Sequence, residues 1–248
     1  MKGLFFGPAE RQLYGVLHVP AGQPRPTGVV LCHPLPFEYM RKRWQHRKAA
    51  DMLADRGFAT LRFDWSGTGD SAGENLPRSL SAWAEDVALA TSELMELAQV
   101  QRVCVAAVGG AAAVAAHASR ETASDALLLV DPPLRGGPYL AAYAQRRPFE
   151  RHAADEILGI RVPLALRSEL AALDLAAQKP RADKILVLTT TGAGAARELS
   201  AALRGAEGAV TLREATNAAD PRPSDLEETL LSVALPEELS RYAAEELA

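Results

Sequence analysis

This chain of 248 residues lacks the features that announce many protein classes. It has two cysteines, Cys32 and Cys104, each in an apolar stretch. They form neither a disulfide framework nor a CxxC motif, and the expectation is two inert buried thiols in a reducing cytoplasm. Of the five histidines none follows His152. No HExxH or closely spaced His/Asp set suits a metal, and no glycine pattern spells a P-loop or G-x-G-x-x-G, so neither metal nor cofactor is expected. No apolar run approaches the ~18–20 residues that span a bilayer. The longest, Val103 to Ala116, reads as a buried strand plus an alanine-rich helix. The opening MKGLFFGPAERQLYG has no continuous apolar core, so no secretory leader is expected and a cytoplasmic location is. A basic excess is missing too. The formal net charge is −4, which argues against nucleic acid or an anionic membrane as the main partner.

What is present is the composition of a globular protein, 48% hydrophobic and 23% charged, long enough to bury one large core. Short apolar strands alternate with amphipathic helices. Arg11 to Val19 alternates like an early antiparallel strand. Gly28–Cys32 is wholly apolar, as in a parallel sheet covered on both faces. A helix is expected over Arg47–Gly57, a strand over Ala59–Phe63 and a long helix over Leu80–Ala98. A central strand at Arg102–Ala106 leads to a helix at Gly110–Arg120, then a strand at Ala126–Val130. Further strands at Lys184–Leu188 and Ala209–Arg213 flank a helix near Ala195–Arg204, and Pro236–Leu247 closes the chain as a helix. This alternation predicts βαβ units with right-handed crossovers. The fold class is α/β, a mostly parallel central sheet flanked by helices. Residues 1–248 read as a single domain, with a small helical cap inserted over 135–180, where prolines interrupt an irregular pattern.

The run Val103-Cys104-Val105-Ala106-Ala107-Val108-Gly109-Gly110-Ala111 carries the strongest signal. A strand that turns tightly into a helix is where α/β-hydrolases place a nucleophile elbow, G-x-S-x-G. Here the nucleophile position is Gly109, and a glycine cannot attack a carbonyl. The stretches LCHPLPFEYMRKRW, GFATLRFDWSGTGDSAG, DPPLRGGPYL and ILGIRVPLALRSELAALDL resemble α/β-hydrolase-fold proteins related to the serine aminopeptidase and exosortase A system-associated hydrolase families. The resemblance implies the α/β-hydrolase fold over nearly the whole chain, and it implies activity much more weakly, because fold does not dictate function.

A serine hydrolase of this fold needs a nucleophile, an acid and a histidine in that chain order. The stretch Thr189–Gly194, where the acid belongs, contains no carboxylate, and Glu214–Arg222 contains no histidine. Three separated losses predict that the standard triad is absent.

What remains at the elbow is a backbone cradle. Gly109 and Gly110 open a helix whose unpaired N–H groups and dipole could hold a carboxylate, phosphate or thioester oxygen. The missing side chain also leaves room for a bulkier ligand. His33, after the third strand, is either a loop-positioning histidine or a pocket acid/base. Pro34 and Pro36 have no N–H, so Leu35 and Phe37 are the nearby donors. Glu38, Tyr39 and Arg41 are read on the same loop, Glu38 as the candidate general base or as a loop-bracing partner of Arg41. Ser66 and Asp131, at strand ends, are loop caps or, with His33, a displaced triad. The basic stretch Arg41–Lys48 is a solvated helix start or a docking surface for an acidic carrier protein or a phosphate-bearing thioester.

Three functions stay open. The first is an atypical biosynthetic enzyme acting on an acyl, thioester or cyclic intermediate through His33 and Glu38. The second is an inactive pseudo-hydrolase that binds a ligand or partner, and the third a hydrolase with a relocated triad. The expected partners are a small-molecule or acyl-carrier-bound substrate, and a second copy or another protein.

Overall fold

A computed structural model describes residues 1–73, 79–122, 124–145, 155–215 and 233–247. The strands are β1 (Lys2–Phe6), β2 (Leu13–His18), β3 (Thr27–Cys32), β4 (Thr60–Phe63), β5 (Arg102–Val108), β6 (Ser124–Val130), β7 (Glu156–Ile157), β8 (Ile160–Arg161), β9 (Arg181–Thr189) and β10 (Glu207–Glu214). The helices are α1 (Pro36–Asp55), α2 (Leu80–Ala98), α3 (Gly110–Ala118), α4 (Gly136–Gln145), α5 (Leu164–Ala171), α6 (Ala193–Ala202) and α7 (Ala234–Glu246). Eight strands form one sheet in the order β1-β2-β4-β3-β5-β6-β9-β10. β2 runs antiparallel to β1 and β4, and the strands from β4 to β10 run parallel.

The parallel strands are apolar throughout because both faces are covered, and alternation along each strand sorts the core into two layers. On β5, Val103, Val105 and Ala107 join the layer under α2 and α3, whereas Cys104 and Ala106 join the layer under α1 and α7. Both cysteines are free and buried, and burial raises both thiol pKa values, so neither is a thiolate at neutral pH. Between β6 and β9, the expected cap region contributes α4, the β7–β8 hairpin and α5, whose Ile157, Leu166 and Leu170 share the α2–α3 apolar layer. Residues 146–154 of that region lie outside the described residues, as do 216–222 of the loop after β10. Among the described residues no helix is long and apolar enough to cross a membrane.

The β7–β8 hairpin interrupts the cap expected to be helical, and two further elements differ from expectation. β1 has no counterpart in the sequence reading, since KGLFF is short, mostly exposed and held by its antiparallel pairing with β2. The larger correction concerns α1, which begins at Pro36 and not near Arg47. Glu38, Tyr39 and Arg41 therefore stand on the first turns of a 20-residue helix and not on a loop. Proline at the first helical position costs no hydrogen bond, and Glu38 two residues later accepts the Leu35 N–H at 3.2 Å. The pattern Pro-x-Glu was a helix start hidden in what looked like a proline-rich loop.

Candidate functional site

β5 delivers the chain to Gly109 at φ 62°, ψ −130°, and α3 begins at the next residue. This is a sharp strand-to-helix turn in a backbone region that L side chains rarely adopt. Gly109 N–H donates to Val130 O at 2.9 Å, anchoring the turn to β6.

The space beside Gly109 is filled by the chain itself. A Cβ placed on Gly109 would lie 2.6 Å from Glu38 Oε1, 2.8 Å from Lys42 Nζ and 3.0 Å from Tyr139 OH. A Cβ on Gly110 would meet Leu35 Cδ1 at 2.4 Å. The room expected for a bulkier ligand is thus occupied by a carboxylate, an ammonium and a phenol. Glu38, 1% exposed, accepts from Lys42 Nζ at 3.0 Å and from Tyr139 OH at 2.5 Å on one oxygen, and from Leu35 N–H on the other. Tyr143 OH reaches the same Oε1 more loosely, at 3.4 Å. Tyr139 OH in turn accepts the Gly110 N–H at 2.9 Å. Of the backbone donors expected to cradle a ligand oxygen, Gly109 N–H is thus engaged by Val130, Gly110 N–H by Tyr139 and Leu35 N–H by Glu38. Burial, and then the Glu38 charge, push the Tyr139 phenol far up, so it stays protonated and donates. Glu38 is paired with Lys42 rather than Arg41 because the two lie four apart on one helix face.

The other expected residues fall into separate constellations. Phe37 is buried, with its ring against Tyr143 at 5.1 Å. His33 lies 3.5 Å from Asp64 through Nε2, stacks on Tyr39 at 4.3 Å and meets His46 edge-on at 4.9 Å. Burial lowers its pKa to about 4, partly opposed by a hydrogen bond to the Pro34 backbone, and the Arg62 charge adds to the lowering. His33, Tyr39 and Asp64 line a cleft of about 320 Å³ together with Pro34, Pro36, Thr68 and Ile160. Ser66 is buried and its N–H donates to Asp86, which also pairs with Arg11. Asp131, at φ 43°, accepts Thr190 N–H at 2.8 Å and Thr190 Oγ1 at 2.6 Å. Ser66, His33 and Asp131 thus hold different partners, and no hydrogen bond joins them as a relay among the described residues. The sequence reading missed Lys42 and Tyr139 as site residues. Lys42 was legible once α1 is started at Pro36, through its i,i+4 spacing, whereas Tyr139 is 101 residues from Glu38 and carries no local signal.

Comparison with known proteins agrees with this architecture. Residues 28–209 match the serine aminopeptidase, S33, family. No curated protein matches the sequence. Among solved structures, ferulic-acid-bound Est1E from Butyrivibrio proteoclasticus superposes with a TM-score of 0.68 at 16% identity, covering 98% of this chain and 99% of that one. An α/β serine hydrolase homologue from Coxiella burnetii gives 0.61 at 16% identity, covering 97% and 96%. A lidless α/β serine hydrolase from Xanthomonas campestris gives 0.61 at 17% identity, covering 98% and 94%. Likeness at these identities is likeness of fold. With the sheet order, the elbow and a match across most of its length, this chain belongs to the serine aminopeptidase S33 family of α/β-hydrolase-fold proteins.

Proposed function

We propose that this chain is a triad-deficient, non-hydrolytic member of its family, an atypical biosynthetic enzyme that performs acid–base chemistry on an acyl, thioester or cyclic intermediate. One observation carries the reading. A carboxylate, an ammonium and a phenol converge within 3.0 Å of the point where the side chain of a nucleophile at position 109 would begin. A buried ion pair stabilises a fold less than apolar packing of the same volume, and such groups concentrate at functional sites. In this scheme a substrate carbonyl accepts the Gly110 N–H now given to Tyr139 and the Tyr139 O–H now given to Glu38. Glu38 removes a proton next to that carbonyl, and Lys42 balances the charge. His33 stands in the adjoining cleft, and its role as a partner base gives way to Tyr139.

Fluorophosphonate treatment of the full chain should label no serine, and stoichiometric labelling of one would sink the proposal. Exchange of α-protons in D2O, followed by NMR on thioesters and cyclic ketones, tests the chemistry. Glu38→Gln should slow any exchange by roughly 10²-fold or more. A second reading, a ligand- or partner-binding subunit without turnover, is favoured by the fact that Leu35 N–H and Gly110 N–H are both satisfied internally. Absence of exchange across such a panel, with retained ligand binding, decides for it.

A further inference from the structure

The outer face of α1 is unused by the elbow. Five of the eight residues 41–48 are lysine or arginine, in a chain whose formal net charge is −4. Of these, Lys42 is committed to Glu38 at 3.0 Å. Arg41, Arg43, Arg47 and Lys48 lie on the outer face, because Glu38, His46, Ala49, Ala50 and Leu53 occupy the buried one. Arg47 shares Asp51, at 3.9 Å, with His18. Among the described residues no ion pair reaches Arg41, Arg43 or Lys48. Asp51 and Asp55, the acidic residues of the same face, stand toward the C-terminal end of the helix. Helical spacing places Met40 and Trp44 four apart along the middle of this face. Arg43 and Arg47 run along one flank, Arg41 and Lys48 along the other. Met40 is 66% exposed and Trp44 is half-buried.

This arrangement works against the free helix. Arg43 and Arg47, of like charge and four apart, destabilise it by about 0.2–0.5 kcal/mol, and the Met40–Trp44 ridge leaves apolar surface in water. Arginine, tryptophan and methionine are the residue types enriched where proteins meet. We infer that this face of α1 is a docking surface for an acidic protein helix, its carboxylates meeting Arg41, Arg43, Arg47 and Lys48 and its apolar residues packing on Met40 and Trp44. An anionic membrane is a poorer match. Membrane-lying helices insert a broad apolar face, and here Phe37, Ala49, Ala50, Leu53 and Ala54 are buried in the core. A second copy of this chain is a poorer match too, because the carboxylates of α7 already pair internally: Glu237 with Arg56, Glu245 with Arg213 and Glu246 with Lys184. Pro36 and Tyr39, at the start of the same helix, line the His33 cleft, so a docked partner lies beside it. Docking here does not depend on the chemistry at the elbow.

Trp44 is a built-in reporter, since Trp65 and Trp83 are 0% and 1% exposed. Fluorescence titration of the full chain uses a helical peptide of about 17 residues, its leucine seam flanked by glutamates, and the same peptide with glutamines in their place. The acidic peptide should shift the Trp44 emission to the blue with a Kd on the order of 100 µM or tighter, at least about tenfold tighter than the glutamine form. In the unmodified protein, raising NaCl from ~50 to ~500 mM should weaken binding about tenfold. Arg43→Gln/Lys48→Gln, whose parent side chains make no ion pair in the fold, should weaken it by a similar factor with the circular dichroism unchanged. Equal affinity for the glutamine peptide, no binding, or binding indifferent to salt would overturn the inference. So would tighter binding of phosphatidylglycerol vesicles or of coenzyme A, or a dimer in light scattering that the double variant dissolves.

Discussion

Placing a serine at Gly109 is the most demanding test of the site. Gly109→Ser installs the side chain that related hydrolases use, yet here it should damage the protein without activating it. Two costs add. The residue must hold φ 62°, ψ −130°, a conformation that costs a non-glycine residue about 1–3 kcal/mol. Its Cβ must also displace Glu38 Oε1 from 2.6 Å and Lys42 Nζ from 2.8 Å. Overpacking in a filled interior adds about 1–3 kcal/mol. The sum is about 2–6 kcal/mol, which for a chain of this length lowers Tm by roughly 10 °C. Urea or thermal unfolding followed by circular dichroism reads the loss. Fluorophosphonate should still fail to label the new serine, since the nearby carboxylate is paired with Lys42 and Tyr139 and no histidine follows His152. A Gly109→Ser protein as stable as the parent would refute the claim that the chain's own side chains fill this position. The double variant Gly109→Ser/Glu38→Ala should recover part of the lost stability by vacating the clash.

Other expectations follow from the same contacts. Tyr139→Phe removes the acceptor of Gly110 N–H and a donor to Glu38, and should cost about 1–3 kcal/mol in denaturant unfolding. Lys42→Met leaves the Glu38 carboxylate buried without its counter-charge and should cost about 3–5 kcal/mol, more than Glu38→Gln. Protonation of His33 is disfavoured in the fold, with its pKa lowered from 6.5 to about 4. Its contribution is therefore intact above pH ~6.5 and is lost as pH falls from there toward 4, by up to about 3 kcal/mol. Unfolding free energies measured between pH 7 and 4 should show that slope, and His33→Asn should flatten it. A slope unchanged in the variant would assign it to other groups, such as His46, whose pKa is also lowered by burial. Asp131→Ala removes both Thr190 bonds and should destabilise by about 1–3 kcal/mol, whereas Asp131→Asn should retain most of the stability.

Much of the architecture was legible in single segments. α2 spans Leu80–Ala98, the expected residues, because a capping Ser79 precedes an amphipathic run. β3, β5, β6 and β9 were legible as apolar runs because strands covered on both faces tolerate little else. The start of α1 was not, because proline and leucine in HPLPF suppress the helical pattern that Pro36 and Glu38 begin. β1 was not, because its order comes from β2.

By itself, the sequence determined the parallel sheet, the turn at Gly109 and the absence of a histidine late in the chain. Each of these rests on local chemistry: apolar runs, glycine's tolerance of positive φ, and a residue type simply missing. Only the tertiary structure decided what stands beside Gly109. Glu38 and Lys42 come from α1, Tyr139 comes from α4, and Tyr139 accepts the first N–H of α3 while donating to Glu38. It likewise set His33 Nε2 3.5 Å from Asp64. Such convergence depends on which helix faces meet above the sheet, and no spacing along the chain encodes that.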